Sequence, residues 1–212
     1  IETGNGDLIR LKPDMSRLQM DMACGRIPSA ENDSIILAFA GAFTGTEFDK
    51  GHANVAGDHV AGGKRFKGYR CKRNTGAFTW SAKTGPQFFY KEYSAALDKA
   101  AREGGMGFAQ EVMIHNGQKV PTTRPLGNKN VFRALCLDSD GTPALYESQG
   151  IVTFGNFIAA LLSQGVKEAI YTDMGQGWNY CFYRTNNSDK TPSYLHSTSL
   201  PYASNFITIK IR

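Results

Sequence analysis

The sequence predicts an α+β fold in a single domain, residues 1–212, built as a twisted mixed β-sheet with one or two helices packed on it. Two observations support this expectation. Glycine occupies 23 of the 212 positions, above the usual share of about 7%, which favours strands and turns over a helical bundle. Short apolar or alternating runs of strand length recur along the chain, and no repeat or linker-like tract divides it.

Four segments have the pattern of strands. The continuous apolar run at 35–43 (IILAFAGAF) predicts a central strand covered on both faces. Alternation from residue 107 into Asn116-Gly117 predicts a hairpin, because both turn residues must take positive φ. Segments 133–138 and 143–147 predict a second hairpin around an Asp-Gly turn. The alternating C-terminus, 205–212, predicts an antiparallel strand with one face in solvent.

The clearest helix begins after Thr153, a plausible N-cap, and is predicted to end at Gly165. Its apolar residues recur at helical spacing on one face, which must cover a sheet. The segment 168–172 (EAIYT) predicts a strand. The preceding strand, the helix and this strand together predict a βαβ-like unit. A second helix is predicted over 92–103, ending at a Gly-Gly pair.

The net charge of +5 comes from one patch. Six lysines and arginines fall between His59 and Arg73, interleaved with Phe66 and Tyr69, a pattern that nucleic-acid-binding proteins also show. A cationic edge strand that blocks edge-to-edge pairing explains the patch without a ligand. We therefore predict no nucleic-acid partner. No apolar run reaches the roughly 18 residues of a spanning helix, so we also predict no membrane-spanning segment.

Several common enzyme signatures are absent from the sequence. It contains no G-x-S-x-G elbow, no phosphate-binding G-x-x-x-x-G-K-[ST] loop and no H-E-x-x-H pair. This argues against a serine hydrolase, a nucleotide-binding enzyme and a zincin. His52 and His59, with Asp58 between them, only weakly indicate a metal site, and solvated loop histidines are the favoured interpretation. We predict neither a metal nor a cofactor, and the four dispersed cysteines contain no C-x-x-C pair.

Asp173 is the strongest single candidate for a functional residue. It closes a predicted buried strand and is followed by a loop containing Gly175, Trp178 and Asn179. A backbone that turns sharply there lets a ligand approach, while an indole can stack on a sugar and an amide can bind hydroxyls. The alternative is a local turn in which the carboxylate only binds its own loop amides.

Residues 35–183 resemble the phosphodiester glycosidase domain family. The similarity rests on the order of the landmarks, namely a small-residue and aromatic strand end, a strand with its hairpin, an amphipathic helix and an Asp-Gly loop. These landmarks correspond in this sequence to AFAGAF, RALCLD, YESQG, the helix after Thr153 and AIYTDMGQG. The strand FAQEVMIHNGQ and the segment ANVAGD, residues 53–58, add to the resemblance.

The resemblance implies hydrolysis of a phosphodiester at a sugar's anomeric carbon, in an envelope or extracellular glycan. Asp173 would stabilise the oxocarbenium-like state, Arg133 would hold the phosphate, and Glu147 would act as a second carboxylate. The same resemblance places three further residues at the mouth of the site: Asn54, Asp58 and His59. The alternatives are a structural ion pair for Arg133, a solvated strand end for Glu147 and loop capping for the others.

The sequence also departs from the family pattern. Ala40, Gln149 and Met174 stand where the family has asparagine, aspartate and glycine, and Gln176 and Gly177 replace a glycine and a serine. The chain therefore resembles a divergent bacterial branch, and the second hypothesis is a carbohydrate-binding module without activity. The presumed glycan substrates imply an exported protein whose signal peptide is not in this chain.

Overall fold

The computed structural model describes residues 2–4, 7–45, 48–175, 179–186, 188–196 and 205–212. Two α-helices lie within these residues, α1 (Ser94–Arg102) and α2 (Phe154–Ser163), together with 3-10 segments at Met15–Arg17 and Phe48–Asn54. The strands, in chain order, are β1 (Glu2–Gly4), β2 (Leu8–Lys12), β3 (Leu18–Cys24), β4 (Ile35–Ala40), β5 (His59–Ala61), β6 (Lys64–Phe66), β7 (Gly76–Ser81), β8 (Gly85–Tyr90), β9 (Met106–Gln110), β10 (Val112–His115), β11 (Gln118–Lys119), β12 (Lys129–Asn130), β13 (Arg133–Leu137), β14 (Pro143–Ser148), β15 (Val152–Thr153), β16 (Glu168–Tyr171), β17 (Cys181–Tyr183), β18 (Ser193–His196) and β19 (Asn205–Ile211).

These strands form three larger sheets and one short pair. The seven-stranded sheet has the order β1-β2-β14-β13-β16-β10-β11, and the two five-stranded sheets have the orders β18-β17-β4-β19-β3 and β6-β5-β9-β7-β8. Every ladder between these described strands is antiparallel. The fold is therefore richer in sheet than the α+β prediction implies.

The strand-helix-strand unit is present in a split form. β14 and β16 both pair antiparallel with β13, so they run parallel to each other with β13 between them. α2 connects them and buries Phe154, Phe157, Ile158 and Leu161 against the seven-stranded sheet. Its first turn is capped as predicted, since Asn156 donates its backbone N–H to Thr153 Oγ1.

Most of the strand predictions are confirmed. β4 is buried at every residue and lies between β17 and β19, although it ends at Ala40 rather than at residue 43. Asn116 and Gly117 form the hairpin turn with φ of 53° and 72°. The predicted solvent face of the C-terminal strand is wrong, because β19 lies between β3 and β4 and its first five residues are buried.

One apolar cluster joins all three larger sheets. Leu11 and Ile170 from the seven-stranded sheet meet Ile207 of the second sheet and Phe78 of the third. A second cluster, under α2, contains Phe132, Tyr171 and the apolar face of the helix. The predicted single alternating strand from residue 107 is divided between sheets at Glu111, which places this buried carboxylate at a corner.

Among the described residues, no helix combines the length and the apolar character needed to cross a membrane.

Candidate functional site

Asp173 lies just beyond the end of β16 and is held by surrounding backbone. Its own N–H donates to the Gly41 carbonyl at 2.9 Å, and its Oδ1 accepts the Gly175 N–H at 3.0 Å. Burial raises the pKa of Asp173 to about 6, against the opposing effect of backbone hydrogen bonds from Gly175, Thr44 and Met174 and the charge of Arg124. Asp173 is 7% exposed. Its carboxylate binds the amides of its own loop, as in the local turn considered above, and it also has the raised pKa that is common among functional carboxyl groups.

Arg124 provides the nearby cation, and no pattern in the sequence predicts it. Its guanidinium carbon lies 4.6 Å from the Tyr171 ring centroid, 5.3 Å from Phe154 and 5.7 Å from Phe132. Three aromatic faces that surround a guanidinium fix its position without using its N–H donors. The Arg124 Nε has no hydrogen-bond partner in the part of the chain that the structure describes.

Glu111 positions the backbone of the segment that carries Arg124. One carboxylate oxygen, Oε1, accepts the N–H groups of Thr123 and Arg124 at 2.7 and 2.9 Å and the Thr123 hydroxyl at 2.8 Å. The other, Oε2, lies 3.7 Å from the Arg124 Nε. Glu111 is fully buried, so its carboxylate lies beside the guanidinium in a dry environment, where opposite charges compensate each other.

The loop after β4 faces Asp173 and is fixed by Asn205. The Asn205 side chain donates to the Ala42 carbonyl at 2.8 Å and accepts the Ala42 N–H at 2.7 Å. It also donates to the Thr44 hydroxyl at 3.1 Å. Because Thr44 supplies a backbone hydrogen bond to the Asp173 carboxylate, Asn205 indirectly fixes one side of the candidate site.

Asn54 and Tyr69 border the same loop. The Gly45 N–H donates to the Asn54 carbonyl at 2.8 Å, and a Cβ at Gly45 would lie 2.5 Å from the Asn54 side-chain oxygen. Burial raises the pKa of Tyr69, and the negative charge of Asp173 contributes to the same shift. Arg73 lies over the Phe43 ring at 5.7 Å, and Phe43 lies 5.4 Å from Tyr171. Asn54 therefore lies beside the loop that follows β4, and its predicted role at the mouth of a sugar site stays a prediction.

A backbone hydrogen bond that positions Tyr69 depends on the neighbouring Gly68. Tyr69 donates its N–H to the Val55 carbonyl at 3.0 Å, and a Cβ on Gly68 would lie 2.0 Å from that oxygen and 2.4 Å from the Gly57 oxygen. We expect Gly68→Ala to lower the free energy of unfolding by about 1 to 3 kcal/mol, because backbone must move to admit the methyl group. Denaturant unfolding checks this. Gly127→Ala, whose Cβ would have no atom within 4 Å, is the control, and equal losses in both variants would contradict the expectation.

Arg133 and Glu147 bind each other. They are cross-strand partners in β13 and β14, and both the Nε and the Nη2 of Arg133 lie 2.7 Å from the Glu147 Oε2. Arg133 also donates to the Asn179 carbonyl at 3.0 Å. The two side chains are 0% and 3% exposed, which favours the structural ion pair considered for Arg133 and excludes a solvated strand end for Glu147.

The ion pair and Arg124 lie on different faces of the seven-stranded sheet. In β13, Ala134 packs into the cluster under α2 with Tyr171, whereas Leu135 packs into the cluster shared by the three sheets. Alternation along the strand puts Arg133 on the Leu135 side. The Arg124 guanidinium lies on the Tyr171 side and its charge acts on Asp173, whereas Arg133 is bound to Glu147 on the other side.

The remaining predicted residues have separate surroundings. Asp58 pairs with Arg65 at 2.6 Å. His59 is fully buried in β5 and contacts His52, which corrects its interpretation as a solvated loop residue. Gly175 contacts Asp173 as described, and Asn179 contributes its carbonyl to Arg133. Trp178 lies outside the described residues, so its predicted contact with a sugar stays a prediction.

The basic segment borders a groove of about 970 Å³ next to Tyr69. β6 is an edge strand, as expected for the cationic run, and its Arg65 is held between Asp58 and Asp98, each at 2.6 Å. The remaining cations of the groove wall are Arg70, Lys72 and Lys91. Arg65 is thus already neutralised by protein carboxylates.

Comparison with solved structures relates this fold to a glycosidase domain. The chain is similar to the catalytic domain of zebrafish N-acetylglucosamine-1-phosphodiester alpha-N-acetylglucosaminidase, auto-inhibited by its pro-peptide, with a TM-score of 0.68 and 14% identity over 97% of this chain and 76% of that one. It is also similar to a hypothetical protein from Synechocystis, with a TM-score of 0.57 and 11% identity over 97% of this chain and 59% of that one. No protein-family model matches the sequence, and no curated protein matches it. At these identities the likeness establishes a distant relationship in fold.

Proposed function

We propose that this protein is a hydrolase that cleaves a sugar-1-phosphodiester at the anomeric carbon. The single observation that carries the proposal is that Asp173, a carboxyl group with a pKa of about 6, lies within range of the charge of Arg124, a guanidinium beside three aromatic rings. The fold that this chain shares with a phosphodiester glycosidase domain supports the same reaction class. Arg124 takes the phosphate-binding role that the sequence assigned to Arg133.

One carboxyl group and one cation suffice for this bond. A phosphomonoester is a weakly basic leaving group, so its departure from the anomeric carbon needs little help from a general acid. Ionised Asp173 accepts a proton from water as the water oxygen bonds to the anomeric carbon. The bond from that carbon to the phosphate oxygen breaks, and its electron pair stays on the phosphate, whose charge Arg124 neutralises. Asp173 then returns the proton to solvent.

The bond that is cleaved can be identified directly. The full chain is incubated in water labelled with heavy oxygen with an aryl phosphodiester of N-acetylglucosamine-1-phosphate, and both products are analysed by mass spectrometry. Label in the released sugar supports the proposal. Label in the phosphate would make the protein a phosphodiesterase, and binding without turnover would favour the carbohydrate-binding module; either outcome overturns the proposed reaction.

Arg124→Gln should weaken the binding of the phosphodiester by about 10- to 100-fold in KM, because a charge-assisted hydrogen bond contributes about 1.5 to 3 kcal/mol. Steady-state kinetics on the phosphodiester and on a neutral aryl glycoside of the same sugar separate charge recognition from damage to the site. Arg102→Gln removes the same charge from an exposed position on α1 and is the control. An unchanged KM in Arg124→Gln would exclude this guanidinium from phosphate binding.

A further inference from the structure

Three potential metal ligands from separate parts of the chain converge in a cluster that does not include Asp173 or Arg124. Cys24 ends β3, His52 lies in the 3-10 segment Phe48–Asn54, and His59 begins β5. The Cys24 sulfur and one ring nitrogen of each histidine lie within 4.8 Å of one another. His52 Nδ1 and His59 Nε2 are 2.9 Å apart.

The ring orientations leave a nitrogen lone pair inside this cluster. His59 Nδ1 lies 3.2 Å from the Gly57 carbonyl, which can only accept, so Nδ1 carries the hydrogen and Nε2 carries the lone pair. His52 stacks on Phe66 with 3.5 Å between ring centroids and 4° between ring planes. A histidine whose second nitrogen donates to a backbone carbonyl is the usual arrangement at metal sites, because it fixes the tautomer.

We propose that Cys24, His52 and His59 form a binding site for a zinc ion, with water as the fourth ligand. One thiolate and two imidazoles are donors that Zn²⁺ prefers in tetrahedral coordination, and three protein ligands leave the fourth position open. None of these residues takes part in the proposed hydrolysis at Asp173. Failure of one proposal therefore leaves the other standing.

The distances suit zinc after a small adjustment. Zinc bonds of about 2.0 Å to nitrogen and 2.3 Å to sulfur place tetrahedral donors about 3.3 to 3.6 Å apart. The two nitrogens must therefore separate by a few tenths of an ångström, and the thiol must move closer to them by at most about 1.3 Å. Cys24 and His52 are both partly exposed, so their side chains can make this movement. On binding, the Cys24 thiol proton leaves to solvent as the zinc-sulfur bond forms, and His52 takes the tautomer with its hydrogen on Nε2.

Zinc at this position would clamp three elements that the backbone connects only loosely. The chain kinks at Gly51, where φ is 51°, and the 3-10 segment that carries His52 ends at Asn54 beside the candidate hydrolytic site. Bonds from His52 to the end of β3 and the start of β5 would hold this segment in place. A ligand that binds only the folded chain also raises the stability of the fold.

The test uses the full chain, stripped with a chelator and kept reduced, titrated with Zn²⁺ by calorimetry and with Co²⁺ by absorption spectroscopy. We expect one zinc per chain and, with cobalt, a thiolate charge-transfer band. Cys24→Ser and His52→Gln should each weaken zinc binding by at least about 100-fold, since even the loss of a residue behind the ligands costs 10- to 100-fold.

Matched controls are available for both ligand types. Cys71→Ser removes another partly exposed thiol, and His115→Gln removes another partly exposed histidine that pairs with Glu168. Both controls should bind zinc as the parent does. The proposal is overturned if the parent does not bind zinc, if both ligand variants bind it unchanged, or if bound cobalt shows no thiolate band.

Discussion

Replacing Asp173 with asparagine is expected to lower kcat on a sugar-1-phosphodiester by about 10²- to 10⁴-fold, the usual contribution of a positioned general base. The amide is nearly isosteric with the carboxylate, and its oxygen can still accept the Gly175 N–H that the structure shows at 3.0 Å. It cannot accept a proton from water. The loss should therefore fall on kcat, with a much smaller change in KM, which steady-state kinetics measures directly.

The pH dependence of the parent enzyme gives an independent check on the same residue. Because the base must be ionised, kcat/KM should rise with pH through about 6, the pKa of Asp173, and then level off. A profile that falls through the same range would mean that the protonated form is the active one. A profile that is flat between pH 5 and 7, or an Asp173→Asn variant with parental kcat, would exclude Asp173 as the base.

Stability should change in the opposite sense from activity. The native pKa of about 6 lies above the ordinary value of 3.8, so the folded chain binds more protons than the unfolded chain between these values. The contribution of Asp173 to the free energy of unfolding is therefore greatest below pH 3.8. As the pH rises through 6, the free energy of unfolding falls by about 3 kcal/mol. Asp173→Asn should remove this dependence and should not be less stable than the parent at pH 8. A large fall in its stability there would mean that lost activity reflects unfolding.

The sequence predicted Asp173 but not its partner, and the reason is physical. A carboxylate that closes a buried strand can be recognised locally, because the strand has a pattern and the loop after it contains glycine. Arg124 lies in a loop without any periodicity, and the rings that hold it come from three separate places: Phe132 directly precedes β13, Phe154 begins α2 and Tyr171 ends β16. Only tertiary packing brings them together.

The sequence indicated His52 and His59 only weakly as metal ligands and did not indicate Cys24, for the same reason. His52 and His59 are neighbours in sequence, but Cys24 reaches them only because β3 ends next to the segment that carries His52. The hairpin around Asp138 to Gly141, in contrast, contained enough information to predict one contact. Counting outward from its turn places Arg133 opposite Glu147, and opposite charges at facing positions favour an ion pair.

Glu147→Gln is expected to lower the free energy of unfolding by about 3 to 5 kcal/mol, because it leaves the Arg133 charge buried and uncompensated. Arg133 is 0% exposed, and its Nη1 already has no hydrogen-bond partner among the described residues. Chemical denaturation measures the change. Asp21→Asn is the matched control, since its pair with Lys210 at 3.1 Å is partly exposed and should contribute less than about 1 kcal/mol.

A double variant separates this structural role from the chemical role that the sequence first suggested for the pair. Arg133→Met with Glu147→Leu replaces two buried charges by apolar side chains of similar size, a change that is often neutral for stability. If the pair only holds β13 to β14, the double variant should regain most of the stability lost in Glu147→Gln and should hydrolyse the phosphodiester at the parental rate. If the double variant has parental stability but does not turn over substrate, then Arg133 and Glu147 act on the substrate. The active site would then include the face of the sheet that carries this ion pair, and not only the face that carries Arg124.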